Sequence, residues 1–311
     1  EDWRSSVYGQ TAMSNLLRLN LLESAMSYLH RQEKGVYLQE NQGWEFGLIH
    51  AWRQGGHNSL IGFPHATVRY WDLRYFFDSR SYADKDTNQL PLPDLVAING
   101  PMAKKIYRDG GYPAEQLTDV ESLRFLYSNA FVEKKSSTKH TQNHFRLLVV
   151  GDFVQKKTNT QLSLLEDSVL FLPPEMKITL KPHPACPVDL SDYPTLTMIS
   201  SSKAIGELLL ECDAVYASAT TSAAVDGYVA GLSVITFLDT QELNMSPLRG
   251  VAGAYFVATA KELADSVKLL IDATPVETGK REELFYLDPE LPRWSKLLMG
   301  EVEKEKVGFN V

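Results

Sequence analysis

Three features of the chain predict an α/β fold built on parallel sheets. Short apolar runs alternate with helical patterns along most of its length. The runs end in Gly, Asn, Asp or Pro, and the intervals between them suit crossover helices better than hairpin turns. The 311 residues suffice for two domains of ordinary size. A content of 44% hydrophobic and 23% charged residues fits a packed globular core.

The elements follow in order. Leu16, Leu19, Leu22, Met26 and Leu29 recur at helical spacing, so residues 11–32 read as an amphipathic helix. Val36-Tyr37-Leu38 reads as a strand, Trp44 to Arg53 as a helix broken by Gly55-Gly56, Leu60–Phe63 as a second strand and Leu95–Ile98 as a third. Three strands are few for a first domain and the chain opens at Glu1 rather than Met, so further strands are expected upstream. Residues 133–144 are polar throughout and read as a linker.

A more regular pattern then begins. Arg146–Val150 is a strand ending at Gly151-Asp152, and residues 159–170 are helical. Ile178–Leu180 and Leu196–Ile199 are strands. Ser202–Glu211 is a helix with Ser202 as its N-cap, and Ala214–Ala217 is a strand. Ala223–Ala230 is a helix stopped by Gly231. Ser233–Phe237 and Tyr255–Val257 are strands, Lys261–Ile271 is a helix, and a last helix follows Pro292. The expected division is a first domain over 1–140, a second over 145–275, and a closing segment over 276–311 that packs back on the first domain.

The net charge of −8 excludes a nucleic-acid binder that relies on a basic surface. The two cysteines, Cys186 and Cys212, form neither a disulfide framework nor a zinc spacing. There is no apolar run of about 18 residues, no P-loop, no GxGxxG and no GxSxG. Asp84-Lys85-Asp86 has the form of a metal-binding Asp-x-Asp, but it lies in a polar loop with a lysine between the acids, so no metal is expected there.

Two motifs carry chemistry. Lys181-Pro182-His183-Pro184 closes a strand and fixes an imidazole between two prolines. Ser218-Ala219-Thr220-Thr221-Ser222 places four hydroxyls at a helix start, where free N–H groups and the helix dipole favour a phosphate; N-capping alone needs only one. Both motifs, with Gly151-Asp152, fall at the carboxyl edge of one parallel sheet, the ligand-binding edge of such folds. Asp226 could reach a ribose or stay solvated. In the first half, Glu40 at a strand end and Glu45 at a helix start are the carboxylates suited to act as base or nucleophile. Favouring its own first helical turn would equally explain Glu45. His65 is an alternative base, and Arg69 and Arg74 could bind an acidic sugar or acceptor, or pair on the surface.

The His-Pro element followed by a Ser/Thr-rich helix start resembles the donor half of bacterial sialyltransferases and of the β-Kdo transferases of capsule and lipopolysaccharide synthesis, over about residues 145–275. That resemblance implies a GT-B architecture, two Rossmann-like domains facing across a cleft. It places His183 and Pro184 at the cytidine monophosphate of the donor and Ser218, Thr220, Thr221 and Ser222 at its phosphate. By position, Lys181 and Gly151-Asp152 are further donor-binding candidates, and a plain turn would equally explain Gly151-Asp152. CDP-glycerol phosphotransferases of teichoic acid synthesis carry a similar pairing, so the donor stays open. Glu40–Glu45, Gly62–Arg74 and Leu287–Trp294 together resemble a family of surface-carbohydrate biosynthesis proteins.

These resemblances imply a metal-independent glycosyltransferase moving Kdo or another CMP-activated ulosonic acid to a bacterial glycan or glycolipid. The alternatives are a CDP-glycerol or CDP-ribitol phosphotransferase, a UDP-sugar transferase, or a non-catalytic glycan-binding or scaffold module of the same fold. The expected setting is the cytoplasm, at the inner face of the bacterial membrane. No cofactor is expected besides the nucleotide-sugar substrate, and no nucleic acid.

Overall fold

The computed structural model describes residues 2–78, 80–83, 90–128, 144–272 and 283–300. Asp84–Asp86 and the linker over 133–143 lie outside the described residues. The chain forms two compact units: Glu1–His65, Leu73–Leu123 and Phe285–Val311 make the first, and Ala66–Asp72 with Arg124–Leu284 make the second. The division therefore falls near residue 123 rather than 140, and seven residues after the second strand count with the second unit.

In the first unit, α1 (Asp2–Tyr8) and α2 (Gln10–Tyr28) precede β1 (Lys34–Leu38), α3 (Gly43–Gln54), β2 (Ser59–Phe63), the single turn α4 (Arg80–Ala83), β3 (Leu95–Ile98), α5 (Pro101–Asp109) and β4 (Leu117–Asp119). The four strands are parallel and ordered β1-β2-β3-β4. α2 stops at Tyr28, earlier than the periodicity predicts, because Leu29 turns to an extended conformation while its N–H caps Met26. Met26 packs on Ile49, Trp52 and Leu60, whereas Leu16, Leu17 and Leu21 stay exposed. β4, which lacks any periodic signal, adds a fourth strand beside β3.

The second unit runs β5 (Arg146–Val150), α6 (Gln155–Ser168), β6 (Lys177–Lys181), β7 (Met198–Ser200), α7 (Ile205–Glu211), β8 (Ala214–Ser218), α8 (Ser222–Val229), β9 (Ser233–Phe237), β10 (Ala254–Val257) and α9 (Ala260–Asp272). Its strands are parallel in the order β10-β9-β8-β5-β6-β7. The chain leaves β5 toward β6 on one side and returns at β8 on the other, so the strand order reverses between β5 and β8. Leu147, Val149, Leu162, Leu180, Tyr216, Ile235 and Leu263 form the core beneath the sheet.

Two expectations here need correction. α7 starts at Ile205 with Ala204 as N-cap, not at Ser202. The neighbouring Ser201 hydroxyl instead accepts the N–H of Lys203 at 3.3 Å. β7 covers Met198–Ser200 rather than 196–199; Leu196 is apolar because it turns into the core after Tyr193, not because it is in a strand.

α8 is held tightly against the sheet. A Cβ on Gly227 would come within 2.7 Å of Val215 Cγ2 on β8, so only glycine permits this approach. Its end is a Schellman motif. Gly231, at φ 80°, donates to Tyr228 and Leu232 donates to Gly227. Its C-terminal half is thereby fixed, and its N-terminus, capped by Thr221, follows directly on the tip of β8.

Finally α10 (Pro292–Met299), begun by proline at its first turn, belongs with the first unit. Trp294 packs edge-on against Phe63 at 4.9 Å. The buried Glu121 accepts the N–H groups of Arg293 and Trp294, each at 3.1 Å, and the Arg293 guanidinium at 3.0 Å.

Candidate functional site

A pocket of ≈ 210 Å³ opens in the second unit at the carboxyl ends of β5, β6 and β8. Phe153, His183, Thr220, Thr221, Ser222 and Val225 line it, joined by Thr67 and Arg69 from the 66–72 segment, Arg124, and Pro247. This is the point where the strand order reverses, so three strand ends diverge and leave a crevice.

The floor is a buried hydrogen-bond network. Asp152, 1% exposed, accepts the N–H of Val154 at 2.9 Å through one oxygen. Its other oxygen accepts the Thr220 hydroxyl at 2.7 Å and the Ser218 hydroxyl. The Asp152 N–H donates to Thr158 at 2.8 Å. Ser218 is thus turned inward behind the lining, and Thr220 shows the pocket an oxygen whose proton is already given away. Lys157 approaches Thr220 at 3.5 Å while pairing with Glu242 at 2.6 Å. Thr221 caps α8, accepting the Ala223 N–H at 3.4 Å, and Ser222 begins the helix. The first N–H groups of α8 have no place in the helical ladder and face this end.

His183 is set by its own turn. Its carbonyl accepts the Cys186 N–H at 2.8 Å, and its Nδ1 accepts the Ala185 N–H at 3.1 Å. A neutral ring so held carries its proton on Nε2, which makes it a donor on the other side. Gly151 underlies this turn: a Cβ there would sit 3.3 Å from the His183 nitrogen. Lys181, the last residue of β6, accepts the Gly151 N–H at 2.9 Å, and neither Lys181 nor Pro184 lines the pocket.

Two arginines complete it. Arg124 donates to Ser222 Oγ at 3.0 Å and lies over the Phe125 ring at 5.6 Å. Arg69 stands in a segment anchored by the Tyr70 N–H on the Met245 carbonyl at 3.2 Å and by Arg249 over the Tyr70 ring at 5.5 Å. Among the described residues neither Arg69 nor Arg124 has a carboxylate within ion-pair distance. The Thr67 hydroxyl is buried in the same wall without a partner. Asp226, one turn along α8, lies behind the lining and accepts the Tyr127 hydroxyl at 2.6 Å. Burial pushes its carboxyl up from the usual range, and that hydroxyl and Arg124 pull the other way.

The sequence-predicted carboxylates sit in the first unit. Glu45 is 1% exposed and completes a capping box with Gln42. Its oxygens accept the N–H groups of Glu40 at 2.9 Å, Asn41 at 3.1 Å and Gln42 at 3.0 Å. Burial raises its pKa, and those three N–H groups oppose the rise. Asn41, in this turn, takes a left-handed φ of 55°. Glu40 is half-exposed with Arg74 at 3.8 Å. His65 is half-buried, with Nδ1 enclosed and unpartnered. Thr67, Arg124, Phe153 and Pro247 were missed by sequence reasoning. Only Phe153, next to Gly151-Asp152, has a local signal. Among the described residues no His, Cys, Asp or Glu cluster is arranged to hold a metal, and no helix is long and apolar enough to cross a membrane.

The chain is an α/β protein of the GT-B-like class, with two Rossmann-like domains, and solved structures share that fold. UDP-GlcNAc 2-epimerase of Methanocaldococcus jannaschii, in complex with UDP-GlcNAc and UDP, is similar at a TM-score of 0.56 with 10% identity, covering 88% of this chain and 79% of that one. The Neisseria meningitidis UDP-GlcNAc 2-epimerase bound to UDP-GlcNAc is similar at 0.52 with 11% identity, covering 88% and 76%. No protein-family model matches the chain, and no curated protein does.

Proposed function

We propose that the chain is a nucleotide-sugar-dependent glycosyltransferase acting on a bacterial surface glycan, with the donor phosphate seated in the second-unit pocket. The observation that carries this reading is the convergence of His183, Thr220–Ser222 and two arginines without carboxylate partners at the start of α8. A pocket of ≈ 210 Å³ is smaller than the roughly 300–1,000 Å³ of whole-ligand sites, which suits the phosphate portion of a larger donor. The α8 N–H groups and the His183 Nε2–H would stabilise the charge that builds on the leaving phosphate. Countercharge of this kind supports a metal-independent reaction.

Glu40 is the proposed base for the acceptor hydroxyl. It is half-exposed, whereas the Glu45 oxygens are committed to holding the Glu40–Gln42 turn. Glu45 then acts as a positioning residue, and His65 is the alternative base.

A UDP-linked donor is the first reading, supported by the ligands of the solved structures that share the fold. CMP-linked ulosonic acids are the second, supported by the His-Pro and Ser/Thr pairing itself. Thermal shift and calorimetry with UDP, CMP and CDP test both. Binding of at least one of them, weakened about tenfold by His183→Ala, is expected from the loss of one hydrogen bond to a charged group. If no nucleotide binds the folded protein, the enzyme reading is wrong and a non-catalytic module remains.

A further inference from the structure

We infer that Arg69 and Arg124 read a second anionic group on the donor, beside the phosphate held by α8 and His183. The inference rests on the nucleotide reading and goes beyond it, since one phosphate needs only the helix start, the imidazole and the hydroxyls.

The two guanidinium groups reach the pocket from elements unrelated in sequence, the segment after β2 and the turn after β4. Neither forms an ion pair among the described residues, and the nearest acid to Arg124 is the buried Asp226 behind the lining, whose carboxyl is held by Tyr127. Arg124 rests on a hydroxyl and an aromatic ring, and the Arg69 segment is tied down through its neighbour Tyr70. Surface arginines with acidic neighbours gain little from pairing. Two that line one crevice with no carboxylate at ion-pair distance favour an anion placed between them. The enclosed Thr67 hydroxyl adds an unused donor on the same wall. Guanidinium forks bind phosphate and carboxylate oxygens in the same bidentate way. The shared chemistry is therefore a donor with two adjacent anionic centres: the diphosphate of a nucleoside-diphosphate sugar, or the phosphate and carboxylate of a CMP-activated ulosonic acid.

Paired titrations separate the sources. Calorimetry compares UDP with UMP, and CMP-sialic acid with CMP, on the wild-type chain and on Arg69→Ala, Arg124→Ala and Arg69→Lys. The expected result is a preference of about tenfold to a hundredfold within one pair, the size of one charge-assisted hydrogen bond, falling to about threefold or less in both alanine variants. Arg69→Lys is expected to fall in between, because a lysine keeps the charge and loses the fork. A UDP preference identifies the diphosphate, and a CMP-sialic acid preference the carboxylate. If UMP and CMP bind as well as their partners, or if the preference survives both alanine substitutions, the two arginines do not read a second anion. The nucleotide reading survives that outcome, since binding of UMP or CMP itself attests it.

Discussion

Asp152 is a buried carboxylate under the proposed phosphate site, and replacing it separates its two effects. In Asp152→Ala, three donors lose their acceptor: the Val154 N–H at 2.9 Å, the Thr220 hydroxyl at 2.7 Å and the inward Ser218 hydroxyl. A buried donor left unpaired costs about 1–3 kcal/mol, and Thr220 can turn to water, so the total is about 3–4 kcal/mol. At about 2–4 °C per kcal/mol, the melting temperature should fall by roughly 10 °C. Asp152→Asn keeps an acceptor for Val154 and offers the hydroxyl oxygens an N–H₂ group, so it should cost only about 1 kcal/mol. Its effect on the ligand runs the other way. A phosphate oxygen contacting Thr220 would lie roughly 5 Å from the Asp152 oxygen, where two unit charges repel by about 3 kcal/mol at an effective dielectric of 20. The Asn variant removes that repulsion and frees the Thr220 proton to donate. It should bind its nucleotide about fivefold or more tighter, by calorimetry at low salt, while melting a few degrees lower. If Asp152→Asn melts normally but binds tenfold more weakly, the carboxylate serves the ligand directly and this reasoning is wrong.

Two further substitutions test the surroundings. Asp226 is desolvated in the folded state and its carboxyl is raised, so between the unfolded value near 4 and the folded value the native chain holds more protons and stability falls as pH rises. Asp226→Asn keeps an acceptor for Tyr127 and escapes that loss. Urea titrations from pH 3.5 to 7.5 should show the variant gaining on the wild type as pH rises and matching it below about pH 4; a gain that shrinks with pH would contradict the assignment. Glu121→Ala strands the Arg293 and Trp294 N–H groups at the start of α10, while the half-exposed Arg293 guanidinium can turn to water, at about 2–4 kcal/mol in all. Hydrogen exchange should then rise first in α10; a loss under 1 kcal/mol with α10 protected would show that Trp294 packing alone suffices.

What could be read from the sequence was what local periodicity and turn chemistry encode. Arg146–Val150 and Leu95–Ile98 match their predicted bounds because continuous apolar runs closed by Gly or Asn mark buried parallel strands. Thr220–Ser222 and His183 share one pocket because the ends of β8 and β6 flank β5 at one edge of a parallel sheet. Ser218 was legible as a hydroxyl but not as a partner of Asp152, 66 residues earlier, and nothing local marks a hydroxyl that faces inward. Arg124 sits in a three-residue 3-10 turn, Leu123–Phe125, too short for any periodicity to predict what a side chain faces. Glu45 has a capping-box spacing, which tells equally for a cap and for a reactive carboxylate; only its three N–H partners separate the two.

The connectivity around Trp294 has a bearing on how the molecule is made. The first unit obtains Trp294, a member of its core with Ile61, Phe63 and Ala97, only after the whole of the second unit has left the ribosome. The second unit in turn takes Arg69 from a stretch synthesised before its own sheet begins. A chain that folds from its N-terminus as it emerges can complete the second unit first, with the 66–72 segment waiting, while β1–β4 remain without their last cover. Contacts of such long sequence separation slow folding and prolong the exposure of strand edges. Neither unit can therefore be cut out as one contiguous piece. Expression of 124–284 alone would yield a sheet with an incomplete pocket, and a break before Pro292 would deprive the first unit of its clasp.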